Sequence, residues 1–579
     1  MHPVRSLSRF VRPYRSTAVA TLSLLTILVA LDLAIPRMIQ HLIDHGVSRG
    51  DMPTVITTAL GMLALSGLSA VIAVFNNSLS VRVGESVARD LRAALFDRIQ
   101  GFSFGNLDRE KTGALMVRLT SDVATLKGLT QISLRIGTRA PLLMTGSLCL
   151  LVVTSPSLAL HMAPLLIVTG LLIAFFVARM EPIFRAVQAR LDRLNTTLQE
   201  NLAGVRLVRS LVRRDFEEGR FQRDNRDMTE QSIRALEFAG AMTPALTLAI
   251  NVGIVIVLWS GGLSAIRGAL SVGQIVAFTN YLLTTLSPLV MMTLFSNTWA
   301  MGVVSARRVE DLLATEPEVR DAPDAQSITR EQRPEIAFEA VSFSYPGEHN
   351  EPALCEVSFQ ARPGETVAIL GATGAGKSTL IALIPRFYDP QAGVVRFGGM
   401  DVRRVTQASL LARIAYVPQE AVLFSGTVRD NIRYGRPDAT QAQVERAARA
   451  AQAHEFIAAL PGGYDTRVEA RGVNFSGGQK QRLALARALV LDADVLILDD
   501  VTSAVDADTE GRIQQQLAAS RGERTTFLVA QRIASVLWAD RILLLDKGRL
   551  VASGTHAELL RANDLYREIY DSQLGGGTP

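Results

Sequence analysis

The stretch Gly371-Ala-Thr-Gly-Ala-Gly-Lys-Ser378 decides how the C-terminal half of this chain is read. It follows Glu365-Thr-Val-Ala-Ile-Leu370, an apolar run of strand length, and a helical pattern begins at Lys377. Strand, glycine-rich loop and helix is the context in which such a loop cradles phosphate. The glycines let successive backbone N–H groups turn toward an anion, and the helix N-terminus adds a positive dipole. Lys377 is placed to reach the terminal phosphates of a nucleotide, and Ser378 a Mg²⁺ ion.

Further along, Val495-Leu-Ile-Leu498 reads as a second buried strand that delivers Asp499 and Asp500 at its C-terminal end. That is where α/β sheets place their ligands, so Asp499 is expected to hold Mg²⁺ directly or through water. Phe475-Ser-Gly-Gly-Gln479 precedes a helix starting near Lys480, and Ser476 with Gly477 and Gly478 makes a second anion-binding helix start. A single nucleotide cannot readily use both helix termini within one domain, which hints at a dimer with shared sites. Ile336–Tyr345 alternates like a strand. Residues 315–334, rich in Glu, Asp, Pro and Gln without periodicity, read as a linker between a domain at 1–314 and another at 335–579.

The N-terminal half has a different composition. The chain has 579 residues, 20% of them charged. Its mean hydropathy of +0.22 is the average of a membrane half and a soluble half. Net charge is +5, too modest to imply nucleic acid. Six stretches, about 16–36, 54–77, 136–154, 157–178, 243–266 and 272–299, approach the ~20 apolar residues that cross a bilayer. The arginines cluster before the first (Arg5, Arg9, Arg12, Arg15) and in the two long connections at 78–135 and 179–242. By the positive-inside rule those segments are cytoplasmic, so six crossings return the chain to the cytoplasm, where ATP is. The expected location is a cell (inner) membrane, multi-pass, with no cleavable leader. Cys149 and Cys355 have a spacing that suits neither a metal site nor a disulfide framework.

The long connections keep apolar residues at helical spacing and are expected to continue the spans as helices. Capping residues at Leu119-Thr-Ser-Asp122 and Asn201-Leu-Ala-Gly204 predict short transverse helices near 119–126 and 201–212. Within the spans, Asp32 and Arg37 are read as lying near the outer end of the first, either paired or reaching the interface. Arg139, His161, Asn76, Asn251 and Asn297 are candidates for lining a cavity, against the plainer role of hydrogen bonding between helices.

The phosphate loop, Gln419 in Val417-Pro-Gln419, Ser476-Gly-Gly-Gln479, the Asp499 strand and the Ser503-Ala-Val-Asp506 turn come in the order of an ATP-binding cassette domain. With six N-terminal spans, nearly the whole chain resembles one half of a type IV ABC exporter. Glu469-Ala-Arg-Gly472 is similar to the segment that precedes the signature in exporters. The fold implied is an α-helical membrane domain followed by an α/β P-loop ATP-binding domain, with ATP and Mg²⁺ as ligands. The resemblance implies that Tyr345 stacks on adenine and that Gly371, Ala372, Thr373, Gly374, Ala375, Gly376, Lys377, Ser378 and Thr379 wrap the phosphates. Ser378, Gln419 and Asp499 would hold or sense Mg²⁺. Ser476, Gly477, Gly478 and Gln479 would contact the ATP of a partner subunit in trans, with Asp506 signalling across the dimer.

Two positions depart from the family pattern. Its catalytic Glu is Asp500 here, and its switch His is Gln531. Asp is one methylene shorter, and Gln cannot be protonated or accept through a ring nitrogen. Both changes in otherwise intact motifs are similar to the degenerate site of heterodimeric ABC exporters, whose other half carries Glu, His and a damaged signature. The resemblance therefore implies a heterodimer that moves drugs, peptides or other amphipathic solutes out of the cytoplasm. The alternatives are a slow homodimeric exporter or lipid flippase, and an ATP-binding membrane regulator.

Overall fold

The structure is a computed structural model that describes residues 7–329, 334–345, 352–502, 504–519 and 524–574. Arg5, Ser503 and the side chain of Asn297 lie outside the described residues. The chain divides into two compact units, one of residues 1–100 and 113–315 and one of residues 101–112 and 316–579.

The first unit is helical. It contains α1 (Arg15–His41) and α2 (Met52–Gln100), and the chain then makes the short α3 (Phe104–Arg109), which belongs to the second unit. The run α4 (Thr112–Thr154) follows. After it come α5 (Pro156–Ala203), the short α6 (Val205–Ser210), α7 (Arg214–Ile266) and α8 (Val272–Ala314). Among the described residues, five helical runs are long and apolar enough to cross a membrane: Ser8–Arg49, α2, α4, α5 and α7. With 49, 48 and 53 residues, α2, α5 and α7 are more than twice the ~20 residues a crossing needs. Leu63, Leu160, Leu171 and Leu248 are among the residues left exposed along these helices, a pattern suited to lipid contact.

The structure corrects two expectations for this unit. No transverse helix occupies 119–126: Arg118–Asp122 is a π-helical turn inside the continuous run α4. Its capping-type residues are used for tertiary contact instead. Asp122 is buried and accepts from Ser305 Oγ at 2.9 Å and Arg308 Nε at 2.9 Å, with Arg308 Nη2 also bonded to it. At the other position a break does occur at Gly204, and α6 follows it with Leu207 and Leu211 exposed.

Second, Asp32 pairs with Arg139 of α4, Nη2 to Oδ2 at 2.8 Å, and not with Arg37, which donates to Gln40 at 3.1 Å. The helical run that starts α1 continues to Arg49, beyond the expected end of the span near Pro36. Asp32 therefore lies about 21 Å along the helix axis from the turn at Gly46, well inside the helical run rather than near its outer end. Asn76 fills both expected roles: its Nδ2 donates to the Thr21 carbonyl at 2.7 Å across α1 and α2, and it lines a cavity together with Arg139.

The second unit is built on two sheets. An antiparallel sheet has the order β2-β1-β4-β5, from β1 (Ile336–Phe343), β2 (Leu354–Ala361), β4 (Ala392–Phe397) and β5 (Met400–Asp401). The larger sheet has the order β12-β11-β3-β10-β9-β6, from β3 (Thr366–Leu370), β6 (Ile414–Val417), β9 (Val495–Asp499), β10 (Thr525–Val529), β11 (Arg541–Asp546) and β12 (Arg549–Gly554). A two-stranded pair joins β7 (Gly426–Thr427) to β8 (Arg467–Val468).

All five residues of β3, β9 and β10 are buried, as continuous apolar strands covered on both faces must be. Their alternate residues enter different cores. Val495 and Ile497 pack with Phe338 and Phe397 of the smaller sheet, while Leu496 and Leu498 pack with Leu483 and Leu485.

The stretch expected as a linker is pinned where it is described. Gln326 N donates to Arg404 O at 2.9 Å, Ile328 N donates to Ser409 Oγ at 3.1 Å, and Val319 and Ile328 are buried. Its partners are remote in sequence, so local periodicity carries no trace of them.

Arg308→Ala would leave Asp122 buried without its guanidinium, a cost on the order of 3 kcal/mol. The apparent melting temperature of the full chain in nanodiscs is expected to fall by several degrees, and adding Asp122→Asn to recover most of the loss.

Candidate functional site

Four site loops leave the C-terminal ends of neighbouring parallel strands. Leu370 of β3 leads into the glycine loop, Val529 of β10 toward Gln531, Asp499 of β9 into Asp500, and Val417 of β6 toward Gln419. The register of these strands therefore brings residues separated by up to 160 positions together.

The glycine loop needs its glycines for space as well as for dihedral freedom. A Cβ on Gly371 would collide with the Leu545 carbonyl, and one on Gly376 would sit 2.5 Å from the Ala353 carbonyl. Gly374 and Gly376 have φ of 84° and 97°. The helix α9 (Lys377–Leu383) starts directly after them. Lys377 is buried, and its Nζ donates to the Gly371 and Ala372 carbonyls, both at 2.9 Å. Burial pushes its ammonium below the ordinary lysine range, and the charges of Asp500 and Asp499 pull the other way. Five glycine or alanine positions, a lysine and a helix start make a cradle whose donors fit the polyphosphate of a nucleotide.

Ser378 Oγ donates to Asp499 Oδ1 at 3.0 Å, joining the loop to β9. Tyr416 OH reaches Asp499 Oδ2 at 3.4 Å. Burial raises the Asp499 carboxyl above its ordinary range, and the hydrogen bonds from Ser378 and Tyr416 oppose that rise. A hydroxyl and a carboxylate side by side are the hard oxygen donors that Mg²⁺ takes.

Asp500 sits next door in a left-handed conformation, φ 49°, which Asp tolerates better than most residues. Its Oδ2 accepts from Gln419 Nε2 at 3.3 Å and from Gln531 Nε2 at 3.0 Å. The three residues thus form one cluster, with two amides directed at a single carboxylate oxygen. Tyr345 is 40% exposed, and its hydroxyl meets Thr379 Oγ1 at 3.2 Å. Its ring stands at right angles to those of Phe343 and Tyr388, with centroids 5.0 and 5.4 Å away.

The remaining expected residues form a second group. Ser476 caps the helix α10 (Gly477–Leu489): Gln479 N donates to its Oγ at 3.3 Å, and Ser476 N donates to Gln479 Oε1 at 2.9 Å. A Cβ on Gly478 would lie 2.8 Å from the Ala504 carbonyl, so close packing with the turn before α11 (Ala507–Ala519) requires glycine there. Asp506 accepts from Thr509 N at 2.9 Å, which lowers its pKa below the usual carboxylate range.

Two features escaped sequence reasoning. Glu510 is buried and accepts from Thr502 Oγ1 at 2.9 Å and Ser535 Oγ at 2.5 Å, tying the turn after β9 to the turn after β10. In the sequence it is one of several acids in a helix's first turn. The other is α3. Ser103 and Asn106 make a capping box, Phe104 stacks on Phe387 with centroids 4.1 Å apart, and Tyr388 OH donates to Asp108 at 2.6 Å. Phe387 in turn lies edge-on to Tyr416 at 5.3 Å. Ser103 in Gly101-Phe-Ser-Phe-Gly-Asn106, with Asn106 three residues on, is the cap signal that would have found this helix.

Residues 19–289 match the family model of the ABC transporter transmembrane region, and residues 354–503 that of the ABC transporter. An uncharacterized ABC transporter ATP-binding protein of Bacillus subtilis, YfiB, is 37% identical over 566 residues, 98% of each chain. The structure is similar to that of a bacterial Atm1-family ABC exporter with ATP bound, with a TM-score of 0.82 at 28% identity, covering 98% of this chain and 99% of that one.

The chain is an ABC exporter half-transporter.

A putative multidrug export ATP-binding/permease protein of B. subtilis, YgaD, is 32% identical over 99% of this chain and all of its own. The half-transporter is thus a multi-pass membrane protein with a cytoplasmic ATP-binding domain and acts as an ATP-driven exporter.

Replacing the cradle's cation, Lys377→Ala, is expected to weaken binding of a fluorescent ATP analogue by about tenfold or more. Gly371→Ala is expected to abolish binding and also to lower the melting temperature of the full chain, because the new Cβ strikes β11 backbone.

Proposed function

We propose that this half-transporter belongs to a heterodimeric exporter and that its own ATP site holds nucleotide but cleaves it slowly. Exporters of this family act as dimers, and each ATP lies between the phosphate loop of one half and the signature of the other. In this reading Tyr345 stacks on adenine, residues Gly371–Thr379 wrap the phosphates, and Ser378, Gln419 and Asp499 hold Mg²⁺ when it is bound. Ser476, Gly477, Gly478, Gln479 and Asp506 face the ATP on the partner's loop. The short helices α3 and α6 carry movement between the nucleotide and membrane domains, with α6 docking on the partner through its exposed Leu207 and Leu211.

The observation that carries the reading is the Asp500 cluster. The family's glutamate orients and polarises the attacking water, and Asp500 is one methylene too short to do so from the same backbone position. A misplacement of about 1 Å costs on the order of 100-fold in rate. Two amide donors, at 3.0 and 3.3 Å, further satisfy the oxygen that would otherwise draw on water. Gln531 offers a neutral N–H in place of an imidazole. The signature, by contrast, keeps its serine, both glycines and a formed helix cap. A defective site and an intact signature in one chain fit a division of labour, in which this half retains one ATP and completes the partner's active site.

The cargo class we assign is an amphipathic solute such as a drug or peptide, in line with the B. subtilis relative YgaD, a putative multidrug export protein.

The test is Asp500→Glu combined with Gln531→His in the complex that co-purifies with this chain. Vanadate-dependent trapping of labelled nucleotide on this chain is expected to rise by about tenfold or more. Unchanged trapping would sink the account of the defect, and a complex containing only copies of this chain would sink the heterodimer.

A further inference from the structure

The helices α1, α2, α4 and α8 line a half-open cavity of about 620 Å³ in the membrane unit. Leucines and Met291 supply one part of its wall, and Asp32, Arg135 and Arg139 another. The two arginines are four residues apart on α4 and so project to the same side. Arg139 Nη2 is bonded to Asp32 at 2.8 Å, while its Nε is buried without a hydrogen-bond partner. Arg135 forms no ion pair among the described residues. Two guanidinium groups and one carboxylate leave the cavity with one positive charge in excess.

The depth makes that charge informative. Arg139 lies about 24 Å along the helix axis from the turn at Ser155, close to the ~21 Å between Asp32 and its own turn. On this spacing Asp32 and Arg139 fall within the thickness of a hydrocarbon core of ~30 Å, where an ionisable group faces a cavity or a partner. Arg135, about 30 Å from Ser155, stands at its cytoplasmic edge, so the excess charge lies at the cavity's cytoplasmic end. A structural role would need only the Asp32–Arg139 pair, which is already neutral. Arg135 and the unpartnered Nε are donors left over from that pair, and they adjoin an apolar wall.

We propose that this cavity binds the oxyanion head of an amphiphile, with Arg135 and Arg139 taking a phosphate, sulfate or carboxylate and the leucine and methionine wall taking its hydrocarbon chain. Guanidinium forks bind such groups through paired N–H donors, which a single ammonium cannot match. Asp32 pairs with Arg139 and so holds the excess charge at one. The proposal deepens the export reading by naming the charge of the cargo, and it rests on that reading only for the step from binding to transport.

The test uses the full chain, in its co-purifying complex, in phosphatidylcholine nanodiscs without nucleotide. Binding is measured for two fluorescently tagged probes with the same tail, dodecyl phosphate and dodecyltrimethylammonium. Dodecyl phosphate is expected to bind about tenfold more tightly or better. Arg135→Gln is expected to remove most of that preference, whereas Asp32→Asn, which frees Arg139 and raises the net charge by one, is expected to strengthen binding of the phosphate probe. A gain of affinity separates this role from simple damage to the fold. Equal binding of the two probes, binding of neither, or indifference to Arg135→Gln would each overturn the proposal. Doping the nanodiscs with phosphatidylglycerol separates the sources of the head group: competition assigns it to a bilayer lipid, and no competition to a dissolved amphiphile. Because no ATP is turned over, the result stands apart from the fate of the two-site hydrolysis reading.

Discussion

The parallel strands β6, β9, β10 and β3 lie side by side, so the loops that follow them leave one edge of one sheet. Nearly every nucleotide-site contact depends on that arrangement. It sets the glycine cradle beside Asp499, lets Ser378 bridge the two, and holds Gln419 and Gln531 on either side of Asp500. The constraint is one of register. Val529 of β10 pairs with both Ile369 of β3 and Asp499 of β9, so a slip of one residue would turn the carboxylate to the opposite face. The burial of all three strands on both faces makes such a slip costly, because it would exchange the contents of two distinct cores.

From that edge a line of contacts runs to α3. Asp499 is bonded to Tyr416, whose ring meets Phe387, whose ring stacks on Phe104. In sequence α3 is the connection between α2 and α4, yet its packing belongs wholly with the nucleotide-binding unit. A six-residue helix has little stability of its own. Its cap, its stacked phenylalanine and its ion pair from Arg109 to Glu318 at 2.6 Å supply what length cannot. Burial pushes the Tyr416 and Tyr388 hydroxyls well above the ordinary tyrosine range, so both stay protonated and act as donors to the carboxylates they face.

The membrane unit solves a different problem. Its helices carry polar groups where water is scarce, and several are absorbed by neighbouring helices: Asn76 by Thr21, Ser147 by Thr285 at 2.8 Å, and Asp44 by the N-terminus of α8 through Gly273 N at 2.9 Å. Such bonds tie particular pairs of helices together at particular depths. The Asp32–Arg139 pair follows the same rule, and the arginine beyond it does not.

Much of this was legible in the sequence. The glycine loop, the two helix caps and the carboxylates at a strand end are local patterns, because their chemistry needs fixed residue types at fixed short spacing. The apolar stretches and the arginine distribution are likewise visible without a fold. What the sequence could not show was which distant groups meet. Leu119–Asp122 looks like a break in a helix, but Asp122 is committed to Arg308, which is 186 residues away. Asp32 looks like a partner for Arg37 and is bonded to a different helix. The stretch at 315–329 looks unstructured because its long-range hydrogen bonds go to residues some 80 positions on and some 210 positions back. By itself the sequence determined the class of most elements and the identity of the reactive groups, since these rest on contacts within a few residues. Only the tertiary structure decided that Gln419 and Gln531 converge on one oxygen of Asp500, and that one arginine lining the cavity of the helical unit is paired while its neighbour is not. Charge pairing acts through space, and chain separation does not encode it.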